Sequence, residues 1–280
     1  MIKTDKKLNL TRIILFSLFI FCWLYSHNKS NVSTGDTLTN PPTISKRIAM
    51  VTISTPNRTE FSQYTIESFT KYAEKWNYDL YFSSTTLDKT RPIQWSKIKA
   101  VLEVLKTNKY DWVAWFDDDI YITNPDISLE KFIKENGQKA FFIISAHKTN
   151  IEKNSDLNNV NSGLFLVKNT QDAKNFLTKV WDIGNSRYNQ EKGSFWEQSA
   201  ITELLKTQKY KNSKQISRLP AKKIQSFITI FTKGDTTDYG QWEPGDFAAH
   251  LAGTDDDCRV IIIEQLAKNP KEYPSFPDFA

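Results

Sequence analysis

The densest chemistry in this sequence is the run Trp115-Phe116-Asp117-Asp118-Asp119-Ile120-Tyr121-Ile122, an apolar stretch that delivers three adjacent acids. Three neighbouring carboxylates repel one another, and a divalent cation relieves that cost. On an extended backbone Asp117 and Asp119 point to the same side. A hard cation with a bound pyrophosphate fits between them. The competing reading is a solvated acidic turn leading into Asn124-Pro125.

Three further segments carry polar residues in apolar settings. His250 lies in Gly245-Asp246-Phe247-Ala248-Ala249-His250-Leu251-Ala252-Gly253, where the small residues allow a ligand close to the backbone. Taken alone, it reads first as a buried, hydrogen-bonded histidine and only second as a ligand. Asn161 and Gly163 belong to Val160-Asn161-Ser162-Gly163-Leu164-Phe165, a polar turn feeding a strand. Asn161 either donates to a sugar hydroxyl or closes the turn. Glu197 and Gln198 open a helix, and Ser194-x-x-Glu197 has the form of a capping box, in which Glu197 only satisfies a backbone N–H.

These residues need strand ends to hold them, and the pattern supplies strands. A globular α/β domain is expected over 47–280. Ile48–Ile53 is a short apolar run closed by Ser54-Thr55-Pro56, and Tyr78–Phe82 and Trp112–Phe116 read the same way. Ala140–Ser145, Gly163–Val167, Ile224–Phe231 and Phe247–His250 are further strand candidates. Helices are expected over 60–76, with Phe61, Thr65, Phe69, Tyr72, Ala73 and Trp76 on one face, and over 95–107, 171–182 and 196–206. Strands alternating with helices predict a mostly parallel sheet covered on both faces. Ligands then bind beyond the carboxyl ends of the strands, where Trp112–Phe116 presents its acids.

The amino-terminal segment has a different character. Residues 13–25 (IILFSLFIFCWLY) are apolar but for Ser17 and follow Lys3, Lys6, Lys7 and Arg12. That order predicts a cytoplasmic tail over 1–12 and a signal anchor over 13–25, inserted in a lipid bilayer as a type II membrane protein. A cleaved signal peptide is the alternative, because the run is shorter than the roughly 20 residues of a full span. Residues 26–46, rich in Asn, Ser, Thr and Pro, read as a stem.

The composition excludes other classes. Four bases and one acid in the first 25 residues account for +3 of the net charge of +5, leaving the other 255 residues nearly balanced. A nucleic-acid partner is not expected from such a surface. Two cysteines, Cys22 and Cys258, rule out a disulfide scaffold. A haloacid-dehalogenase-type phosphatase needs Asp-x-Asp-x-Thr, whereas position 121 is Tyr.

Taken in order, the apolar first strand, Trp95-Ser96-Lys97-Ile98, Trp-Phe-Asp-Asp-Asp, Asn-Ser-Gly, Glu-Gln-Ser-Ala and Gly-Asp-Phe-Ala-Ala-His-Leu-Ala-Gly resemble glycosyltransferase family 34 over residues 48–254. The family comprises galactosyl-, xylosyl- and mannosyltransferases. The resemblance implies a GT-A (Rossmann-like) fold, a nucleotide-sugar donor, a glycan acceptor, Mn²⁺ as cofactor and transfer with retention of configuration. It implies a Golgi membrane location if the organism is eukaryotic. By position, Asp117, Asp119 and His250 become metal ligands. Thr52, Ser54, Lys97 and Asp118 become donor-binding, with Lys97 meeting a phosphate or simply exposed. Asn161 and Gly163 line the sugar pocket, and Glu197 and Gln198 stand beside the reacting carbon.

Two departures stand out. Relatives often carry Ala or Ser where Asp118 stands, and it is expected to point away from the metal. Many have a Cys and a phosphate-contacting Lys after the His-Ala-Gly segment. Here Thr254-Asp255-Asp256-Asp257-Cys258-Arg259 follows, so either Arg259 substitutes or the donor pocket differs. Retention leaves two routes, double displacement through a Glu197 nucleophile or front-face attack. A carbohydrate-binding protein of the same fold without turnover is the alternative function.

Overall fold

The computed structural model describes residues 47–146, 159–186, 195–228 and 240–275. The expected anchor and stem, and the end of the expected strand 224–231, lie outside the described residues. Among the described residues no helix is long and apolar enough to cross a membrane.

The chain enters through β1 (Ile48–Ile53), every residue of which is buried. It then forms α1 (Thr59–Trp76), β2 (Asp79–Ser83), α2 (Ser96–Lys106) and β3 (Trp112–Phe116). The helical faces follow the spacing of their apolar residues: Phe61, Thr65, Phe69, Tyr72 and Ala73 of α1 are buried, and α1 ends where Asn77 takes a left-handed conformation. Next come β4 (Ile120–Ile122), α3 (Leu129–Asn136), β5 (Phe142–Ala146), β6 (Val160–Lys168), α4 (Gln171–Ser186) and α5 (Trp196–Lys206). The chain continues with β7 (Ile216–Leu219), α6 (Ala221–Ile224), β8 (Ser226–Phe227), β9 (Ala248–His250) and α7 (Asp256–Lys268).

The main sheet runs β2-β1-β3-β6-β5-β7. It is mixed, which corrects the expectation of a mostly parallel sheet. β1 pairs in parallel with β2 and β3, and β5 with β7, but β6 runs antiparallel to both β3 and β5. The reversal has a positional consequence. It brings the first residues of β6 to the same sheet edge as the last residues of β3, with Phe116 opposite Leu164 and the Asp117 N–H donating to the Gly163 carbonyl at 2.8 Å.

Alternation along β3 divides the core in two. Val113 and Trp115 pack with Ile98, Val101 and Leu105 of α2 and with Phe176 and Leu177 of α4. Trp112, Ala114 and Phe116 pack with Phe69 and Tyr72 of α1 and with Phe132 and Ile133 of α3. A second sheet, β4-β9-β8, buries Ala249 and Leu251 against Phe61, Trp242 and Ile262 and Ile263 of α7.

Candidate active site

The acids sit in the turn between the two sheets. β3 ends at Phe116, and β4 begins at Ile120 after the Ile120 N–H closes the turn on the Asp117 carbonyl. β4 pairs antiparallel with β9, placing Ile120 opposite His250, and the Leu251 N–H donates to the Asp119 carbonyl. His250 is thereby brought beside the acids, its Nε2 3.3 Å from Asp119 Oδ1. Phe227 stacks on its ring at 5.5 Å, and both side chains are buried. One ligand atom from each of Asp117, Asp119 and His250 falls within 4.8 Å of the others.

The three acids have separate partners. Asp117 accepts from the Trp115 indole N–H at 2.6 Å and pairs with Lys97 at 2.9 Å. Asp118 accepts two hydrogen bonds of 2.8 Å from Arg58. Asp119 pairs with Arg259 at 3.0 Å. Burial pushes the Asp118 carboxyl above its ordinary range against the pull of Arg58. Burial acts the same way on Asp119, but His250, Arg259 and Arg58 overcome it and hold that carboxyl well below the usual range.

Lys97 is neither exposed nor aimed at open solvent. It is 5% exposed and lies 2.9 Å from both Asp117 and Glu197. Burial would lower its pKa; Asp117 and then Glu197 reverse that and raise it. Ser194, the other half of the expected capping box, lies outside the described residues. Glu197 Oε1 accepts from Ser162 Oγ at 2.8 Å and from Lys97, and the Phe195 N–H at the start of α5 donates to Ser199 Oγ. Burial raises the Glu197 carboxyl, with Lys97 opposing. Gln198 Oε1 accepts the Ser162 N–H at 3.0 Å.

Asn161 and Gly163 lie on the other side of the histidine. Asn161 Oδ1 accepts the Gly163 N–H at 2.8 Å and Gln225 Nε2 at 3.1 Å. Gly163 is required by a close approach: a Cβ there would lie 2.2 Å from His250 Cε1. Thr52 and Ser54 are buried, whereas their alternating neighbours Ile53 and Thr55 line a cleft of about 230 Å³ together with Arg58, Lys97, Trp115, Asp117, Asp118, Asp119 and Arg259. Arg58, just before α1, is the site residue that sequence reasoning missed. Its partners are 60 and more positions away, and only its place after a strand-end loop hinted at it.

The comparisons bear on this geometry. Residues 44–260 match the galactosyl transferase GMA12/MNN10 family. The chain belongs to that family. It is 28% identical over 215 residues to the probable α-1,2-galactosyltransferase gmh1 of Schizosaccharomyces pombe, covering 65% of this chain and 60% of the relative. It is 26% identical to the probable α-1,2-galactosyltransferase gmh2 of the same yeast, covering 67% and 59%. The chain thus spans about 60% of the length of these curated relatives. Its fold is that of a glycosyltransferase involved in the glycosylation of the major capsid of PBCV-1, with a TM-score of 0.60 at 16% identity, covering 78% of this chain and 99% of that one.

The family implies a divalent metal, and the residues fit one. Asp117 and Asp119, which line the cleft, form with buried His250 a two-carboxylate, one-imidazole set.

Proposed function

We propose that the chain is a membrane-anchored, Mn²⁺-dependent retaining glycosyltransferase that moves a hexosyl or pentosyl unit from a nucleotide sugar to a glycan acceptor. The observation that carries this reading is the convergence of Asp117, Asp119 and His250 at the end of β3, beside a cleft that also presents Arg58, Lys97 and Arg259. The names of the yeast relatives favour galactose as the sugar. Residues 13–25 supply the anchor in this reading, on the strength of their apolar run and the bases before it, and the membrane is that of the Golgi if the organism is eukaryotic.

Asp117, Asp119 and His250 would hold the cation, which when bound acts as a Lewis acid on the departing diphosphate. Lys97 holds Asp117 in place through their 2.9 Å ion pair. Trp115 fixes the second Asp117 contact through its indole N–H. Asn161 and Gln198 order Ser162 and Gly163 at the start of β6, a segment that faces the sugar in this reading.

Glu197 is 2% exposed, lies outside the cleft lining and is tied to Ser162 and Lys97. That placement favours front-face attack, with the leaving diphosphate taking the acceptor's proton and Glu197 holding Lys97 in position. A nucleophile would need a free path to the anomeric carbon.

Titration of Mn²⁺ in the presence of UDP or GDP, followed by electron paramagnetic resonance, tests the metal site. Asp117→Asn and Asp119→Asn are each expected to weaken binding at least about tenfold, the loss typical of damage at a metal site. Unchanged affinity in both variants would remove these residues from the metal.

A further inference from the structure

The ion pairs at the cleft mouth close into a ring in which two arginines share two carboxylates. Asp119 Oδ2 lies 3.0 Å from Arg259 Nη2 and 4.0 Å from Arg58 Nη2. Asp256 Oδ1 lies 2.6 Å from Arg259 Nη1 and 3.7 Å from Arg58 Nη1. Behind them both guanidinium groups rest on the buried ring of Phe61, at 4.8 Å for Arg58 and 5.6 Å for Arg259. Asp118 grips Arg58 from the side through two parallel hydrogen bonds. The arginines are therefore fixed by apolar packing and by a second acid, independently of Asp256.

The four members of the ring differ in their access to water. The side chain of Asp119 is 9% exposed and that of Arg259 12%, whereas that of Asp256 is 51% exposed. Asp256 can swing into solvent and recover its hydration; Asp119 cannot, and it is also held by His250.

We infer that Arg58 and Arg259 together grip the diphosphate of the donor, and that Asp256 occupies their anion position until the diphosphate displaces it. The inference rests on the transferase reading above. A diphosphate offers more charge and more acceptor atoms than one carboxylate, and paired guanidinium forks match phosphate oxygens in the bidentate geometry that a single carboxylate leaves half used. Both arginines line the cleft that holds Asp117 and Asp119, so an anion between them lies next to the metal ligands.

Two departures from the family pattern gain a purpose. Asp118 aligns Arg58 without competing for the metal. The acidic run Asp255-Asp256-Asp257 does not have to neutralise phosphate: Asp255 caps α7 by accepting the Cys258 N–H, and Asp256 leaves the guanidinium pair when the donor arrives. The competing explanation is that Asp256 only fastens the first turn of α7 to the loop before α1.

Calorimetric titration of the full chain with UDP and with GDP, each with MnCl₂, separates these. Asp256→Asn keeps the shape and removes the competing charge, and Asp256→Ser is the second variant in case the amide forms new bonds. Each is expected to bind one of the nucleotides about three- to tenfold more tightly than the wild type, the size of one like charge removed at about 4 Å with the screening of bulk water, as suits the solvent-exposed Asp256. Arg58→Lys keeps a cation beside Asp118 but cannot span two anions, and it is expected to bind about tenfold more weakly. Unchanged or weaker binding in both Asp256 variants overturns the inference, as does wild-type affinity in Arg58→Lys. A wild-type chain that binds neither nucleotide rejects the transferase reading itself, and this inference with it.

Discussion

Lys97 is the residue on which the charge balance of the site turns. It is buried between Asp117 and Glu197 and donates to the Ser162 carbonyl at 3.3 Å. Lys97→Met leaves the buried Glu197 carboxylate and the half-buried Asp117 facing each other without a cation. Loss of one partner of a buried pair costs about 3–5 kcal/mol, and a fall of that size in the unfolding free energy from urea denaturation is expected. A loss below about 1 kcal/mol would mean the pairs are as weak as surface ones. Glu197→Gln retains the Ser162 contact and leaves Lys97 paired with Asp117. Turnover is expected to fall about a hundredfold, the scale of one lost electrostatic contact at a reacting centre. Complete inactivity with accumulation of a glycosylated protein in the wild type would instead make Glu197 a nucleophile. Cys258 is a third residue with a definite expectation. Burial and neighbouring Asp255 push its thiol up to about 11. The thiolate is the reactive form, so in a Cys22→Ser chain alkylation by iodoacetamide should keep rising tenfold per pH unit through pH 9 and 10. A plateau near pH 8.5 would show an unperturbed thiol. The sequence singled out Lys97 and Glu197 through their motifs, but not the partners that hold them. Lys97 meets Asp117, Ser162 and Glu197, which are 20, 65 and 100 positions away, and no local spacing reports such partners.

Elements set the distances between these residues. Apolar runs and helical spacing place β1, β3 and α5 at their observed positions, and α1 and α2 within a residue of theirs. They do not encode direction, because an apolar run reads the same whichever way it pairs; the reversed β6 was therefore illegible. α7 was missed for a related reason. Val260-Ile261-Ile262-Ile263 is β-branched throughout; Ile262 and Ile263 are buried, and Val260 packs half-buried against them. α3 had a legible start in Ser128, whose hydroxyl accepts the Lys131 N–H, but its span was short enough to pass as a loop. The junction of β6 and β9 yields the element-scale prediction. Gly163→Ala sets a Cβ 2.2 Å from His250 Cε1 and 2.8 Å from Gln225 Oε1, so β9 must move away from β6. Overpacking of this kind costs about 1–3 kcal/mol, and Mn²⁺ affinity should fall together with stability. Gly253→Ala is the contrast. Its φ of +78° strains any side chain, yet the added Cβ meets nothing within 4 Å, so stability should fall while Mn²⁺ affinity stays close to the wild type. Equal metal affinity in all three chains would break the proposed link between strand spacing and the site.

At the scale of the whole molecule, two sheets meet at one acidic turn, and each supplies part of the site. The main sheet brings Asp117, Asn161 and Ser162 to one edge; the second sheet brings His250; α1 and α7 bring Arg58 and Arg259 across from them. The family was legible in the sequence because the five motifs occur in order, and the match over residues 44–260 agrees. The charge partners across the cleft were not, because they depend on how α7 docks on α1. The central claim is that this cleft turns over a nucleotide sugar with the help of a metal held by Asp117, Asp119 and His250. The most direct measurement is release of UDP or GDP by the full chain from a panel of nucleotide sugars, with Mn²⁺ or with EDTA, alongside the Asp117→Ala/Asp119→Ala double variant. Slow hydrolysis of one donor that requires Mn²⁺ and disappears in the double variant is the result expected. Hydrolysis that persists in EDTA or in the double variant, or a wild-type chain showing neither turnover nor nucleotide–Mn²⁺ binding, would contradict it.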